Sequence, residues 1–397
     1  MPANDMMRGF PPPADKQVSI VNWRQAPFNR WGLRNVRSIV PTAAVRRGTT
    51  VAPLAVRPRD VENIVFAGHG RREMTVRQFL DETFTDGFLV MHRGEIVAER
   101  YDAGLRPQDQ HIIFSVTKSV SGTLAGVLVD RGLLDPEAPV ARYVPEAKGS
   151  AYEKAKVRHV LDMTVGIQFV EDYTALTGDF VRYREATGWN PIVDPKNLAD
   201  LRSFLVSLKP KGKHGDSFHY VSPCSDMLGW IMERASGIPF VELLSQEIWA
   251  PMGAEFDADM AVDRLGAPRT AGGLCVSLRD LGRFGNLMLN RGLAQGRQLV
   301  PAWWVDDCRE NGDAEAWKKG EFNATMPNCR YRNKWYILDD DPGAFCGIGI
   351  HGQWLYINTQ AQVVVCKLSS QPAASDNAMD FNAQAACTAI AQALRNA

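Results

Sequence analysis

No stretch of this 397-residue chain approaches the ~20 consecutive apolar residues that a membrane-spanning helix requires. The opening residues, Met1 to Pro13, contain no apolar segment of the length found in a secretory signal. Together these absences predict a cytoplasmic protein with no membrane partner. Charge of one sign is not in excess either: 45 Lys and Arg stand against 45 Asp and Glu, which argues against nucleic acid as a partner. The seven cysteines form no Cys-x-x-Cys pair, and several sit in apolar runs, such as Cys366 after Val363-Val364-Val365. They read as reduced, buried thiols. No His, Cys, Asp or Glu cluster has the spacing of metal ligands, so neither a metal nor a cofactor is expected. Internal repeats and low-complexity segments are absent. What remains is a chain long enough to bury a large core in one or two domains.

The most informative segment present is Phe114-Ser115-Val116-Thr117-Lys118, at the head of a run that continues to Asp130. Residues i and i+3 share a helix face, so the Ser115 hydroxyl and the Lys118 amine can meet within hydrogen-bond reach. Ser119, Ser121, Gly122, Ala125 and Gly126 are small enough for neighbours to approach that helix closely. The remaining positions are largely apolar and place it in the core. A lysine held there loses hydration, which disfavours its charged form. A neutral amine can accept a serine proton. Ser115 also sits where free N–H groups and the positive helix end favour a developing oxyanion.

Along the chain, residues 1–72 are rich in Pro, Arg and small residues, with little periodicity, and read as an arm packed on the body. Val76, Phe79, Leu80 and Phe84 make a helical stripe. Residues 88–91 and 96–101 read as a hairpin, 353–357 and 362–368 as a second strand pair, and Phe381 to Leu394 as a final helix. The fold class is therefore α/β (α+β), with an antiparallel sheet built from both chain ends and flanked by helices. Residues 73–149 and 266–397 would form the sheet domain and 150–265 a mostly helical insertion. The cleft between them is the default site.

Further motifs follow at set intervals: Val157 to Ile167, Gly215 to Ser222, Met227 to Gly237, Pro251-Met252-Gly253 and Ala271 to Leu281. In this order the chain resembles serine hydrolases of the penicillin-binding-protein and class C β-lactamase superfamily, and within it the 6-aminohexanoate-dimer hydrolase and esterase branch. The resemblance spans roughly residues 20–395. It implies a β-lactamase-like fold and a cofactor-independent enzyme that cleaves an ester or linear amide through an acyl-enzyme on Ser115. Lys118 maps to the lysine of Ser-x-x-Lys. The Tyr-x-Asn element maps to Tyr220-Val221-Ser222, with serine in place of asparagine. The third motif, usually Lys-Thr-Gly or His-Thr-Gly, falls on Gly347-Ile348-Gly349-Ile350.

The resemblance further implies that Ser115, Lys118 and Tyr220 are catalytic, and that the backbone N–H groups of Ser115 and Ile350 form the oxyanion hole. Tyr173, Ser222, Gly349 and His351 are candidates for substrate binding or support. Because the third motif lacks its cation, small neutral esters, or amides charged far from the scissile bond, are favoured unless His351 or a nearby arginine supplies the charge. The expected partner is a small-molecule ester or amide, and a homodimer is left open. Two alternatives remain: a β-lactamase or D-alanyl-D-alanine peptidase, and a catalytically silent binding protein of the same fold. Two other matches are discounted. Gly347 to Gly352 has the form Gly-x-Gly-x-x-Gly but leads into a strand pattern, and a dinucleotide fingerprint must open a helix. Ser375-Asp376-Asn377 matches a β-lactamase element, but no Lys-Thr-Gly follows it.

Overall fold

The runs Phe88 to Met91 and Val363 to Cys366 are apolar at every position, as befits strands covered on both faces. In the computed structural model, which describes residues 5–193 and 199–395, they lie side by side at the heart of a seven-stranded sheet. Its strands are β1 (Thr85–His92), β2 (Glu95–Tyr101), β3 (Cys329–Arg332), β4 (Trp335–Leu338), β5 (Ala344–Gly349), β6 (Gln353–Asn358) and β7 (Val363–Ser369). The spatial order is β3-β4-β5-β6-β7-β1-β2. Every pairing is antiparallel, and Cys366 lies opposite Leu89. The β1–β2 hairpin closes through Arg93 and Gly94, both at positive φ, the two-residue turn whose twist matches the flanking strands.

Helices cover both faces. On one lie α1 (Val116–Asp130) and α3 (Leu278–Leu289), with α2 (Ser222–Ser236) packed against α1. Gly282 and Gly285 of α3 sit on Leu89 and Val364, while Gly347 of β5 rests on Val116 and Ser119 of α1. On the other face lie α4 (Asn377–Arg395), whose Thr388 hydroxyl reaches Asp341 beside Tyr356, and the short helix Val76–Glu82. That short helix ends before Phe84, which was expected to extend its stripe. Phe84 has φ 54° and is exposed, because the chain must reverse there to enter β1.

A smaller four-stranded sheet joins Thr42–Val45 of the N-terminal arm, Ala258–Ala261, Leu274–Val276 and His111–Ile112, in that order. It ties the segment entering Ser115 to the segment leaving Ala271, since Ile113 N–H donates to Leu274 O at 2.9 Å. Gly347 to Gly352 runs from the end of β5 through a turn into β6 and opens no helix. Asp376 of the Ser-Asp-Asn match starts α4 instead, its carboxylate accepting the Ala378 and Met379 N–H groups at 3.0 Å each. All seven cysteines are free and buried. Among the described residues no helix is long and apolar enough to cross a membrane.

The small residues of α1 admit close neighbours. A Cβ on Gly122 would meet the Asn333 carbonyl oxygen at 2.0 Å, and one on Gly126 would meet the Trp304 ring at 2.2 Å. Gly126→Ala should therefore destabilise the protein by about 1–3 kcal/mol through overpacking, although alanine is the better helix former. A denaturant titration showing equal or higher stability would contradict this packing.

Candidate active site

Ser115 stands at the start of α1, directly after a residue in an unusual conformation. Phe114 has φ 41°, a left-handed value that a bulky residue adopts only when its surroundings hold it there. Three rings do so: Trp23 at 6.4 Å, Trp189 at 5.9 Å and His351 at 5.5 Å between centroids. The bend delivers Ser115 into a pocket bordered also by Glu171, Tyr173, Ser222, Arg269, Ala271 and Ile350. Behind the serine, β5 passes so closely that a Cβ on Gly349 would fall 2.6 Å from the Ile113 oxygen and 3.1 Å from the Ser115 nitrogen. Only glycine fits there, which explains Gly349 without any direct contact to substrate.

Lys118 lies one turn into α1 and is fully buried. Its Nζ is 2.7 Å from Ser115 Oγ, 3.1 Å from Ser222 Oγ and 2.7 Å from the Ala271 carbonyl oxygen. The direction of each bond follows from its neighbours. The Ala271 carbonyl can only accept. Ser222 donates its own hydroxyl proton to Glu171 at 2.6 Å, so it too accepts from Lys118. A neutral amine has two N–H groups, which these acceptors occupy, and its lone pair is left for the Ser115 hydroxyl. Burial, reinforced by Arg269 and Lys334 and opposed by Glu171 and Asp226, lowers Lys118 to about 7.

Two carboxylates hold this arrangement, and neither was identified from the sequence. Glu171 accepts the Ser222 N–H, the Ser222 hydroxyl and the Tyr173 hydroxyl, the last at 2.6 Å. Asp226 of α2 accepts the Ala271 N–H at 2.7 Å and pairs with Arg269 and Tyr183, which fixes the carbonyl that Lys118 uses. Glu171 lies in a loop without a motif of its own, and Asp226 is a buried acid on a helix that carries other polar residues. Among the described residues no group of three or more His, Cys, Asp or Glu is placed to hold a metal ion.

Tyr220 precedes α2 and is buried, with its ring centroid 4.9 Å from Lys118 Nζ. Burial and the charge of Glu171 push its phenol well above the usual tyrosine value, while hydrogen bonding with Ser115 and Tyr336 pulls the other way. Lys118 thus gives up its proton readily and Tyr220 keeps one. Groups driven apart in this way are suited to base and acid roles.

The structure brings Ser115, Lys118, Tyr220, Ser222, Tyr173 and Ile350 together at one place, but His351 does not border the pocket. His351 is buried, its Nδ1 lies 2.7 Å from the Gln371 carbonyl, and burial lowers it to about 4. It is neutral near pH 7 and supplies no cation for a substrate; its ring supports Phe114. The cations at the pocket are arginines: Arg24 from the N-terminal arm, Arg184 and Arg269.

Residues 73–388 match the Beta-lactamase family model. The chain belongs to that family and is a serine hydrolase of it. It is 37% identical over 364 residues to the 6-aminohexanoate-dimer hydrolase of Paenarthrobacter ureafaciens, 91% of each chain being covered. Esterase EstB of Burkholderia gladioli shares 29% identity over 180 residues, which is 42% of this chain and 43% of EstB. Among solved structures, a Bacillus anthracis protein provisionally named as a 6-aminohexanoate-dimer hydrolase has the same fold. Its TM-score is 0.88 at 24% identity, covering 97% of this chain and 99% of that one.

The Glu171 contacts make a testable case. Glu171→Gln removes an acceptor from Ser222 and should lower kcat by up to about 10²-fold through misplacement of Lys118. Because the Glu171 charge raises the Lys118 pKa, its loss should also shift the rising limb of the pH–rate profile below its wild-type position near 7. A limb that stays in place or moves alkaline would show that Glu171 does not act on Lys118.

Proposed function

We propose that this serine hydrolase cleaves an ester or linear amide bond through an acyl-enzyme on Ser115. The observation that carries the reading is the position of Lys118 Nζ, 2.7 Å from Ser115 Oγ and within hydrogen-bond reach of the acceptors Ala271 O and Ser222 Oγ. In the acylation step Lys118 takes the Ser115 proton while Oγ bonds to the substrate carbonyl carbon. The carbonyl oxygen becomes an oxyanion held by the N–H groups of Ser115 and Ile350. Tyr220 protonates the departing alkoxide or amine as its bond to carbon breaks, and Lys118 returns a proton to Tyr220. A water molecule then repeats the attack on the acyl carbon, and the acid leaves with Ser115 reprotonated.

The relation to the 6-aminohexanoate-dimer hydrolase supports a linear amide, and the relation to EstB supports an ester. A β-lactamase or peptidase is less well supported, because Gly347 and Ile348 stand where that chemistry needs a cation. A silent binding protein would have no use for a buried neutral lysine beside a serine. Seven unpaired thiols accord with a reducing compartment, the cytoplasm.

A fluorophosphonate should label wild-type protein on the peptide containing Ser115, and Ser115→Ala should abolish both labelling and p-nitrophenyl acetate turnover while the protein stays folded. An adduct elsewhere, or an active alanine variant, refutes the assignment. With neutral Lys118 as base, kcat/KM for an uncharged ester should rise with pH through about 7 and level off above it. Lys118→Ala and Tyr220→Phe should each lower kcat by on the order of 10²–10⁴. If the two act as a unit, the double variant should be little worse than the poorer single one; multiplicative losses would show independent action.

A further inference from the structure

Three guanidinium groups border the pocket that holds Ser115, and among the described residues only one of them has a carboxylate partner. Arg269 pairs with Asp226, receives further support from the Tyr183 hydroxyl at 2.5 Å, and lies over the Tyr183 and Trp189 rings at 4.5 and 4.8 Å. Arg24 and Arg184 differ. Arg24 donates to the Trp189 carbonyl at 3.1 Å and to the Asn190 side chain, and Arg184 donates to the Ala175 carbonyl at 2.8 Å. Among the described residues neither forms an ion pair. The Nε atoms of Arg24, Arg184 and Arg269 are all buried without a hydrogen-bond partner.

The nearby carboxylates are engaged elsewhere. Glu171 serves Ser222 and Tyr173, and Asp226 serves Arg269, Tyr183 and Ala271. Asp172 acts on Arg184 from an exposed position but is hydrogen-bonded to Thr174. Arg24 and Arg184 are half-buried, with Nε atoms cut off from both water and protein acceptors; an unpaired buried donor is costly, and proteins keep such features chiefly where a ligand resolves them. The mutual repulsion is also visible in Arg24, which burial, Arg184 and Arg269 together lower to about 9.

We propose that the pocket takes an ester or amide bearing a free carboxylate, which lodges against Arg24 and Arg184 while the scissile carbonyl meets Ser115. The proposal rests on the Ser115 reading above. Planar guanidinium groups suit this task because they bind carboxylates through paired N–H groups. Trp23 and Trp189, whose rings lie 5.2 and 5.8 Å from the Arg24 guanidinium, hold that side chain at the pocket wall. Both side chains reach the pocket from outside the third-motif strand, Arg24 from the N-terminal arm and Arg184 from the helix Asp179–Ala186.

The test compares kcat/KM for mono-p-nitrophenyl glutarate and p-nitrophenyl butyrate, which differ by a carboxylate in the acyl part. A second pair, 4-acetoxybenzoate and phenyl acetate, places it in the leaving group. Wild-type protein should favour the carboxylate ester of one pair by roughly ten- to a hundredfold, the worth of a charge-assisted hydrogen bond, and the pair that responds identifies the side of the scissile bond. In Arg24→Gln and Arg184→Gln that ratio should fall towards one, and Arg184→Lys should retain more of it than Arg184→Gln. Competitive inhibition by glutarate, stronger than by butyramide, decides the matter on wild-type protein should a variant misfold. Ratios near one in wild type, or ratios unaltered in both glutamine variants, overturn the carboxylate site while leaving Ser115 as nucleophile. Failure of fluorophosphonate to label wild-type Ser115 overturns the underlying reading instead.

Discussion

The burial of Lys118 is the constraint on which the site depends. In water its amine would stay protonated near neutrality and be useless as a base. Removed from water it gives up its proton near neutrality, but the neutral amine then needs acceptors for its N–H groups, because buried polar atoms are costly when unpaired. Ala271 and Ser222 meet that need, and each is itself held by a carboxylate, Asp226 and Glu171. These two carboxylates act indirectly: they set the direction of every hydrogen bond around the amine, so that its lone pair has one partner left.

That arrangement draws on parts of the chain far apart in sequence. α1 carries Ser115 and Lys118, α2 carries Ser222 and Asp226, the 269–274 segment carries Ala271, and β5 presses behind the serine. The small four-stranded sheet couples the first and third of these, and the N-terminal arm contributes a strand to it. The strained Phe114 shows the cost of the bend that exposes Ser115. Its φ is maintained by aromatic packing from Trp23, Trp189 and His351, none of which lies in a strand. The histidine beside the third motif therefore serves the site as apolar support, in its neutral form.

The arginines express the opposite electrostatic choice on the same pocket. Where burial brings Lys118 to the edge of neutrality and its contacts satisfy it, Arg24 and Arg184 each keep a buried Nε without a partner. Among the described residues no carboxylate forms an ion pair with them, as a fold optimised for stability alone would arrange. Leaving them open sacrifices stability for recognition, the usual trade at a binding surface.

Much of the architecture was legible in the sequence because it is written in local periodicity. The hairpin over 88–101, the strand pair near the C-terminus, the final helix and the Ser115–Lys118 contact depend on residues a few positions apart. Phe84 marks the limit of that reading: its spacing fits a helix, but the turn into β1 removes it. Glu171, Asp226 and Arg24 carry no local signature. An acid in a loop, an acid in a buried helix and an arginine in an irregular arm look ordinary until the chain is folded. The sequence by itself determined which residues form strands and helices and that a serine and a lysine share one helix face. Only the tertiary structure decided which way each proton points, which histidine is silent and where the unpaired charge lies. Those properties arise from desolvation and from contacts between residues 51 to 165 positions apart, which no pattern of neighbours encodes.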